Sequence, residues 1–388
     1  MPALRRWRDN AAVAIPDHRL AFARLLQREL DVTAYFDAAD RLLAQYVTFE
    51  ASCWLSLDPE TLLPTSHFSR AYGVADMLGL VTNEYLEDDF NKFAGLARSP
   101  RPVGILSRAA GGDPSRSLRH ATFLTEQGFG GGDELRAALR DGDVPWGAIA
   151  IHRRHGTFDE DEADLLADLS GVLAHGVRRA MIRSAMRGDQ SRGTVGVVLV
   201  RGDDTIEAAT PPARRWLSEL FDSTGGADVA PLTIASVAQQ ARRVARGASD
   251  ELATARLPAR SGGWLRLDGS LLEGGDRVAV MISSGVEPGL ADVIARAHGL
   301  SARERLVTSL TLQGLSTREM AASLSVSPYT VQDHLKSIFD KVGVRSRREL
   351  AAQLFVVDVV PRIASGGGDA MPSDMAGGTP ARAVAPIN

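Results

Sequence analysis

The sequence predicts a multidomain chain in which α/β units are followed by an all-α unit of four short helices. Three observations predict it. Strand-like apolar runs alternate with helical periodicity through about the first 285 residues. After residue 300 the periodicity is helical alone. Within that last segment stand three Ser-x-x-Glu boxes, Ser301-Ala302-Arg303-Glu304, Ser316-Thr317-Arg318-Glu319 and Ser346-Arg347-Arg348-Glu349, each just before a helix-like apolar pattern. In such a box the serine accepts from a backbone N–H one turn in, and the glutamate reaches back to the cap N–H.

A chain of 388 residues, 44% hydrophobic and 24% charged, has the composition of an ordinary globular protein of two or three domains. No apolar run approaches bilayer-spanning length, and the basic start, Met1 to Arg8, lacks the apolar core of a signal peptide. A lone cysteine, Cys53, excludes an intramolecular disulfide and fits a reducing compartment, so a cytoplasmic protein without membrane association is expected. Net charge is −4 overall, but residues 299–355 carry eight Lys/Arg against five Asp/Glu. The basic excess sits where a separate nucleic-acid module would place it.

Residues 1–29 read as an N-terminal helical extension, within one helical pattern over 17–47 carried by Phe22, Leu25, Leu26 and Leu30. Residues 50–57 are β-like. Residues 74–140 carry breaks at Ser99-Pro100-Arg101-Pro102, Gly111-Gly112 and Gly130-Gly131-Gly132. Trp146 to His152 reads as a buried strand. The acidic start Asp159-Glu160-Asp161-Glu162 opens a long helix to about Met186, with Leu165, Leu169, Val172, Gly176 and Val177 on one face. That helix either pairs with its counterpart in a dimer or packs on its own sheet. A polar linker, 187–193, leads to a second unit: strands at 195–200 and 205–209, a helix at 211–220, and paired strands at 264–271 and 277–282 around Glu273-Gly274-Gly275-Asp276. Residues 286–299 read as a connecting helix. The tail, 365–388, is Gly/Ala/Pro-rich and is expected to be disordered.

In the all-α unit the first helix turns Leu306 and Leu310 inward and stops at Gly314. The second buries Met320, Ala321 and Leu324. After a tight Ser325-Val326 connection, Ser327 caps the third helix and Pro328 takes its first position. Val331, Leu335, Ile338 and Val342 form its core stripe. Tyr329, Thr330, Gln332, Asp333, Lys336 and Ser337 form the opposite face, and Gly343 ends it. A fourth helix runs from Arg347 to about Val356. Two short helices across a tight turn, the second exposing polar groups early, make a helix-turn-helix whose second helix enters the major groove of double-stranded DNA. Gln332 suits an adenine edge, Asp333 cytosine N4, and Lys336 guanine or phosphate. The free N–H groups at the starts of helices two and three, with Thr317 and Arg318 nearby, suit phosphates. Capped short helices alone would equally serve a structural bundle. His334 reads as a buried or cap-bonded histidine.

Leu300-Ser301-Ala302-Arg303-Glu304-Arg305, Gly314 to Ala321, Ser327 to Lys336 and Lys341 to Arg347 together resemble the LuxR/NarL-type helix-turn-helix of bacterial transcription regulators. The resemblance implies a four-helix DNA-binding domain over 300–360. It places base contacts on Gln332, Asp333 and Lys336, phosphate contacts on Thr330 and Lys341, and a dimer contact around Leu350, Ala351 and Leu354. The chain departs from the family pattern at Gln332, where many members carry Lys, and at Thr308, where an apolar residue is usual. The expected DNA-binding set is Thr317, Arg318, Ser327, Tyr329, Thr330, Gln332, Asp333, Lys336, Ser337 and Lys341.

Upstream, Trp146 to Arg153 with Phe158 and Glu162 resembles the last strand and closing helix of GAF domains, over 30–186. Val195 to Leu199 and Ala209 to Ala213, with the terminal strands, resemble a PAS domain over 194–285. Both resemblances imply a sensor fold that encloses a ligand pocket or forms a dimer surface. Cys53 is a candidate tetrapyrrole or oxidant site against a default of structural burial. His67, His120, His152 and His155 are candidate haem ligands against core or solvated histidines. Asp159 to Glu162 is a candidate cation site against a solvated helix start. The glycine run at 130–132 lacks the context of a phosphate loop and reads as a flexible connection. No catalytic triad or metal-ligand spacing occurs, so no enzyme activity, metal or cofactor is assigned. The expectation is a homodimeric one-component transcription regulator with an unknown small-molecule ligand. The alternatives are a GAF-type small-molecule-binding protein or oxidoreductase with an incidental helical module, and a sensor that titrates a protein partner.

Overall fold

The computed structural model describes residues 17–72, 74–186, 195–221, 230–284, 295–296, 298–312, 315–347 and 349–350. The expectations for residues 1–16, the 187–193 linker, most of the connecting helix, the Gly314 stop and everything from Ala351 onward, the tail included, lie outside the described residues.

The pattern over 17–47 forms two helices, α1 (Asp17–Leu25) and α2 (Val32–Leu43), in place of one. Asp31 makes the break, its Oδ1 accepting from Ala34 N at 2.9 Å to cap α2. There follow β1 (Ala51–Leu57), β2 (Pro64–Arg70), α3 (Val74–Leu86), α4 (Phe93–Arg98), β3 (Val103–Ile105), α5 (Leu106–Ala109), β4 (Glu134–Asp141), β5 (Val144–His152) and α6 (Glu160–Met186). The five strands form an antiparallel sheet ordered β2-β1-β5-β4-β3. β5 is central and buried along nearly its whole length, as Trp146 to His152 predicts.

Side chains alternate across this sheet with period two. Trp54, Ile149 and Ile151 join α1, α2 and α6 in one core. Cys53, Ala148 and Ala150 face the other side, with Val81 of α3 and Phe93 and Leu96 of α4. At the centre of the sheet the first face carries Trp54, Ile149 and Ile151 and the second the smaller Cys53, Ala148 and Ala150, which leaves room beneath α3 and α4. α6 packs on its own sheet, chiefly on β4, and on α1 and α2. Its core residues include Leu166, Leu169, Leu173 and Val177, while Leu165 and Val172 are only partly buried. At Gly176 an added Cβ would collide with the Tyr35 ring, whose hydroxyl donates to Leu173 O at 3.2 Å. The glycine run at 130–132 is more than a flexible connection: a Cβ at Gly132 would strike the Arg153 carbonyl, so glycine permits a close backbone approach.

The second unit holds β6 (Gly196–Val200), β7 (Ile206–Ala209), α7 (Pro211–Ser218), α8 (Leu232–Ala245), β8 (Thr254–Pro258), β9 (Trp264–Leu271) and β10 (Val278–Ser284). Its antiparallel order, β7-β6-β10-β9-β8, repeats that of the first sheet when each is counted from its own first strand. β9 and β10 pair as the turn at 273–276 predicts, Val278 opposite Leu271. The units are joined by α3 against α8, by Thr61 Oγ1 donating to Thr254 O at 2.8 Å, and by the buried Arg256–Asp58 pair at 3.1 Å. The all-α unit contains α9 (Ala302–Leu312), α10 (Thr317–Leu324), α11 (Pro328–Val342) and the first residues of the fourth helix.

Candidate nucleic-acid interface

Two of the three capping boxes close completely. Ser301 N donates to Glu304 Oε2 at 2.7 Å and Glu304 N to Ser301 Oγ at 3.3 Å. Ser316 and Glu319 repeat the pair at 2.7 and 3.3 Å. The third closes by half: Glu349 N donates to Ser346 Oγ at 3.1 Å, but Glu349 accepts from Arg345 N, one residue earlier, at 2.8 Å. α10 ends at Ser325, whose φ of +54° is the left-handed cap conformation. Ser327 then caps α11, accepting from Thr330 N at 3.1 Å, with Pro328 behind it. Gly343 closes α11 with φ +77°.

The stripe Val331, Leu335, Ile338 and Val342 is buried as its spacing predicts, against Met320 and Ala321 of α10. In α9 the core residue is Val307, fully buried; Leu306 is 44% exposed, and Leu310 is partly buried. Leu324 is likewise only half-buried. Thr308, where the family pattern has an apolar residue, is buried, and its Oγ1 has no hydrogen-bond partner among the described residues.

The polar face of α11 is open. Tyr329 is 79% exposed, and Gln332, Asp333 and Lys336 are exposed on the same side within about the first two and a half turns of the helix. Thr330 and Ser337 are half-buried, Ser327 and Arg318 exposed, and His334 is half-buried. Three expected contacts are engaged within the domain. Thr317 Oγ1 accepts from Arg347 Nη2 at 2.7 Å. Ser337 Oγ donates to Glu304 Oε1 at 2.7 Å. Lys341 Nζ donates to both Glu304 oxygens, at 2.9 and 2.7 Å. Burial would raise the Glu304 carboxyl, but hydrogen bonds from Lys341, Ser337 and Ser301 outweigh it and hold the group at about 2. Sequence reasoning saw Glu304 only as a cap; its link to Lys341, 37 residues on, leaves no local signal. Leu350, expected at a dimer contact, is fully buried in the core of its own domain, so it offers no surface to a partner. Ala351 and Leu354 lie outside the described residues.

In the first unit Cys53 is buried, and burial pushes its thiol up to about 12. His120 and His152 are buried, His67 half-buried and His155 exposed. Asp159 caps α6, accepting from Glu162 N at 2.9 Å, and Glu160 and Glu162 pair with Arg101 and Arg153. Among the described residues no group of three His, Cys, Asp or Glu side chains is placed to hold a metal ion. One cluster escaped sequence reading. Glu134 is fully buried and accepts from Arg119 Nε at 2.9 Å, Arg136 Nε at 3.0 Å and His152 Nε2 at 3.2 Å. Burial opposes its ionisation, but the two guanidiniums and His152 hold its carboxyl well below the usual range. Burial pushes His152 below its ordinary value. The signal lay in Glu134-Leu135-Arg136, which puts both charges on one face of β4.

The family described as bacterial regulatory proteins, luxR family, matches residues 298–354. The chain is 40% identical over 60 residues to the transcriptional regulatory protein UhpA of Escherichia coli, covering 16% of this chain and 31% of that protein. It is 36% identical over 55 residues to the spore germination protein GerE of Bacillus subtilis, covering 14% of this chain and 74% of that protein. The chain thus spans about a third of the length of UhpA. The crystal structure of Escherichia coli SdiA superposes with a TM-score of 0.32 at 11% identity, over 88% of this chain and 97% of SdiA. The Vibrio cholerae VqmA–ligand–DNA complex gives 0.20 at 20% identity, over 43% and 84%. At these TM-scores neither superposition bears on what this chain does.

Proposed function

Because this chain belongs to the luxR family of bacterial regulatory proteins, we propose that it is a one-component transcription regulator. It binds double-stranded DNA through its C-terminal helix-turn-helix, over residues 300–360, and the two upstream sheet units control it. The observation that carries this reading is the open polar face of α11, with Tyr329, Gln332, Asp333 and Lys336 exposed beyond a Ser-Pro helix start. A helix so presented fits the major groove, its early residues at base edges. Thr317, Arg318, Ser327 and Thr330 stand at the two helix N-termini, where backbone phosphates bind. Ser337 and Lys341 flank that face, and Lys341 reaches a phosphate with whichever of its three donors Glu304 leaves unused.

The upstream units are read as a GAF-like domain over 30–186 and a PAS-like domain over 194–285, joined to the DNA-binding domain by 286–299. Their shared strand order supports one sensor plan used twice. The regulator acts in the cytoplasm as a homodimer on two half-sites about one helical turn apart. No helix among the described residues is long and apolar enough to cross a membrane.

Full-length protein and the genomic DNA fragments it enriches provide the test. Fluorescence anisotropy should show affinity that falls linearly with log salt, and Lys336→Ala should weaken binding to the enriched sites by about 1–3 kcal/mol with relaxed base preference. Enrichment of no fragment above background, or an affinity indifferent to salt, refutes the reading. Unchanged affinity and preference in Lys336→Ala refute the role of that residue.

A further inference from the structure

Tyr329, 79% exposed, is the most exposed of the large apolar side chains among the described residues. The fold makes no use of it: neither its ring nor its hydroxyl has a partner among the described residues. Its backbone is nevertheless fixed. Ser327 Oγ accepts from Thr330 N at 3.1 Å, and Pro328 sets the first helical position directly before it. We infer that Tyr329 is a specificity-determining residue, and that its ring packs on the C5-methyl group of a thymine in the major groove. The inference rests on the proposed reading of α11 as the DNA-reading helix and adds to it the base that Tyr329 selects.

An α-helix turns by about 100° per residue, so within α11 Gln332 lies about 60° to one side of Tyr329, Asp333 about 40° to the other and Lys336 about 20° away. Tyr329 therefore stands in the middle of the face, between the residues read as meeting base edges. Thr330 and Ser337, about 80–100° round the helix, are half-buried and engaged by Ser327 and Glu304. They form the flank that lies toward the phosphates. A side chain in the middle of the face points at the groove floor. That floor presents hydrogen-bond donors and acceptors and a single apolar group, the thymine methyl. Gln332, Asp333 and Lys336 supply partners for the polar edges, and the Tyr329 ring is the apolar surface among them. Ring and methyl both lose water on contact, and the ring has only two torsions to immobilise. The hydroxyl at its tip remains free for water or a phosphate, neither of which selects a base. Along the axis Lys336 follows Tyr329 by about 10 Å, which is about three base-pair steps of 3.4 Å. The selected thymine therefore lies about three base pairs from the base that Lys336 reads.

Replacing the thymines of an enriched genomic fragment one at a time by deoxyuridine removes the methyl and leaves the pairing edge unchanged. Full-length protein should bind one such duplex per half-site about fourfold more weakly, the effect of one buried methyl. The affected thymine should lie about three base pairs from the position whose preference Lys336→Ala relaxes. Tyr329→Ala should weaken the thymine duplex about fourfold or more and be indifferent to that deoxyuridine. Tyr329→Phe should keep both the affinity and the deoxyuridine effect within about twofold, since the ring remains. If no deoxyuridine weakens the unaltered protein, or if the one that does weakens Tyr329→Ala equally, the methyl contact is overturned. If Tyr329→Phe loses as much as Tyr329→Ala, the hydroxyl makes the contact and the inference is likewise overturned. The deoxyuridine series uses the unaltered chain, so it decides even where a variant does not fold. Binding to no fragment at all overturns the regulator reading, whereas binding indifferent to every deoxyuridine overturns this contact alone.

Discussion

Replacing Glu304 by Gln keeps its shape and removes its charge. In the folded chain Glu304 receives Ser301 N, Ser337 Oγ and Lys341 Nζ, so α9 is tied to its own cap and to two points on α11. The carboxyl is held at about 2 against an ordinary 4.5. At about 1.36 kcal/mol per pH unit, that difference is worth about 3 kcal/mol to the folded state at neutral pH. The folded value is the lower one, so the contribution is whole above pH 4.5 and is lost as pH falls from 4.5 through about 2. Glu304→Gln should therefore cost about 3 kcal/mol at pH 7 and the same at pH 5.5, and the gap should close only in acid. Native-state hydrogen exchange on the full chain reads this directly: peptides of α9 and α11 should exchange about a hundredfold faster in the variant, since 1.4 kcal/mol is about a factor of ten. Lys341→Met should produce part of the same loss, and the double variant should lose less than the sum. Exchange in Glu304→Gln within threefold of the unaltered chain at pH 7 would refute the carboxylate as the tie between these helices.

Three further outcomes follow from particular side chains. Thr308→Val exchanges a buried hydroxyl without a partner for a methyl of the same shape and should slow exchange in α9, a gain of about 1 kcal/mol; faster exchange would mean the hydroxyl is satisfied in solution. Arg256→Met leaves Asp58 buried without its counter-charge and should cost about 3 kcal/mol, read as a lower melting midpoint of the fluorescence of Trp54, Trp146, Trp216 and Trp264; an unchanged midpoint would show the joint does not depend on this pair. Cys53, with its thiol pushed up to about 12, should react with iodoacetamide at pH 8 at least about a thousandfold more slowly than a free thiol; a rate near that of free cysteine would show that the thiol is neither buried nor neutral.

Legibility tracked how local the cause was. β5 could be read because a run buried on both faces is apolar throughout, and the β9–β10 hairpin because its turn residues are contiguous. The caps could be read because a capping box spans four residues. β4 could not: Glu134 to Asp141 is made of good helix formers, and its strand state comes from pairing with β3 and β5 on either side. α8 could not either. It is covered on several sides, by α3 and by the second sheet, and so buries Thr233, Ser236, Gln239 and Gln240 along with Ile234 and Val237; burial all round erases the two-faced pattern that marks a helix. In α9 the exchange of Leu306 for Val307 is a rotation of one residue, which a stripe of only two apolar positions cannot set. On the polar face of α11 the exposed residues followed from the stripe opposite them, whereas the engagement of Ser337 and Lys341 by Glu304 depends on how α9 lies across α11.

On the proposed reading the upstream units must reach the helices they control, and α6 offers a physical route. It is 27 residues, about 40 Å at 1.5 Å per residue. Along that length it packs on β4 of the first sheet, accepts at Ala185 O from Gly263 N of the second unit at 2.7 Å, and places Arg178 beside Gly299, where the all-α unit begins. Arg178 is held there by Asp141 at 2.5 Å and His175 at 2.9 Å. All three parts therefore touch one rigid rod, and a displacement of the second unit against the first acts at the end of α6. The energy required is modest. Turning a two-state joint from 1:99 to 99:1 takes about 5.5 kcal/mol of differential binding. At about 25 cal/mol per Å², that is about 220 Å² of apolar surface buried in one arrangement and not in the other. Leu55, Leu57, Val81 and Phe93 of the first unit and Leu232 of α8 wall one cavity between the units, and its α8 wall is the one that moves if the joint opens.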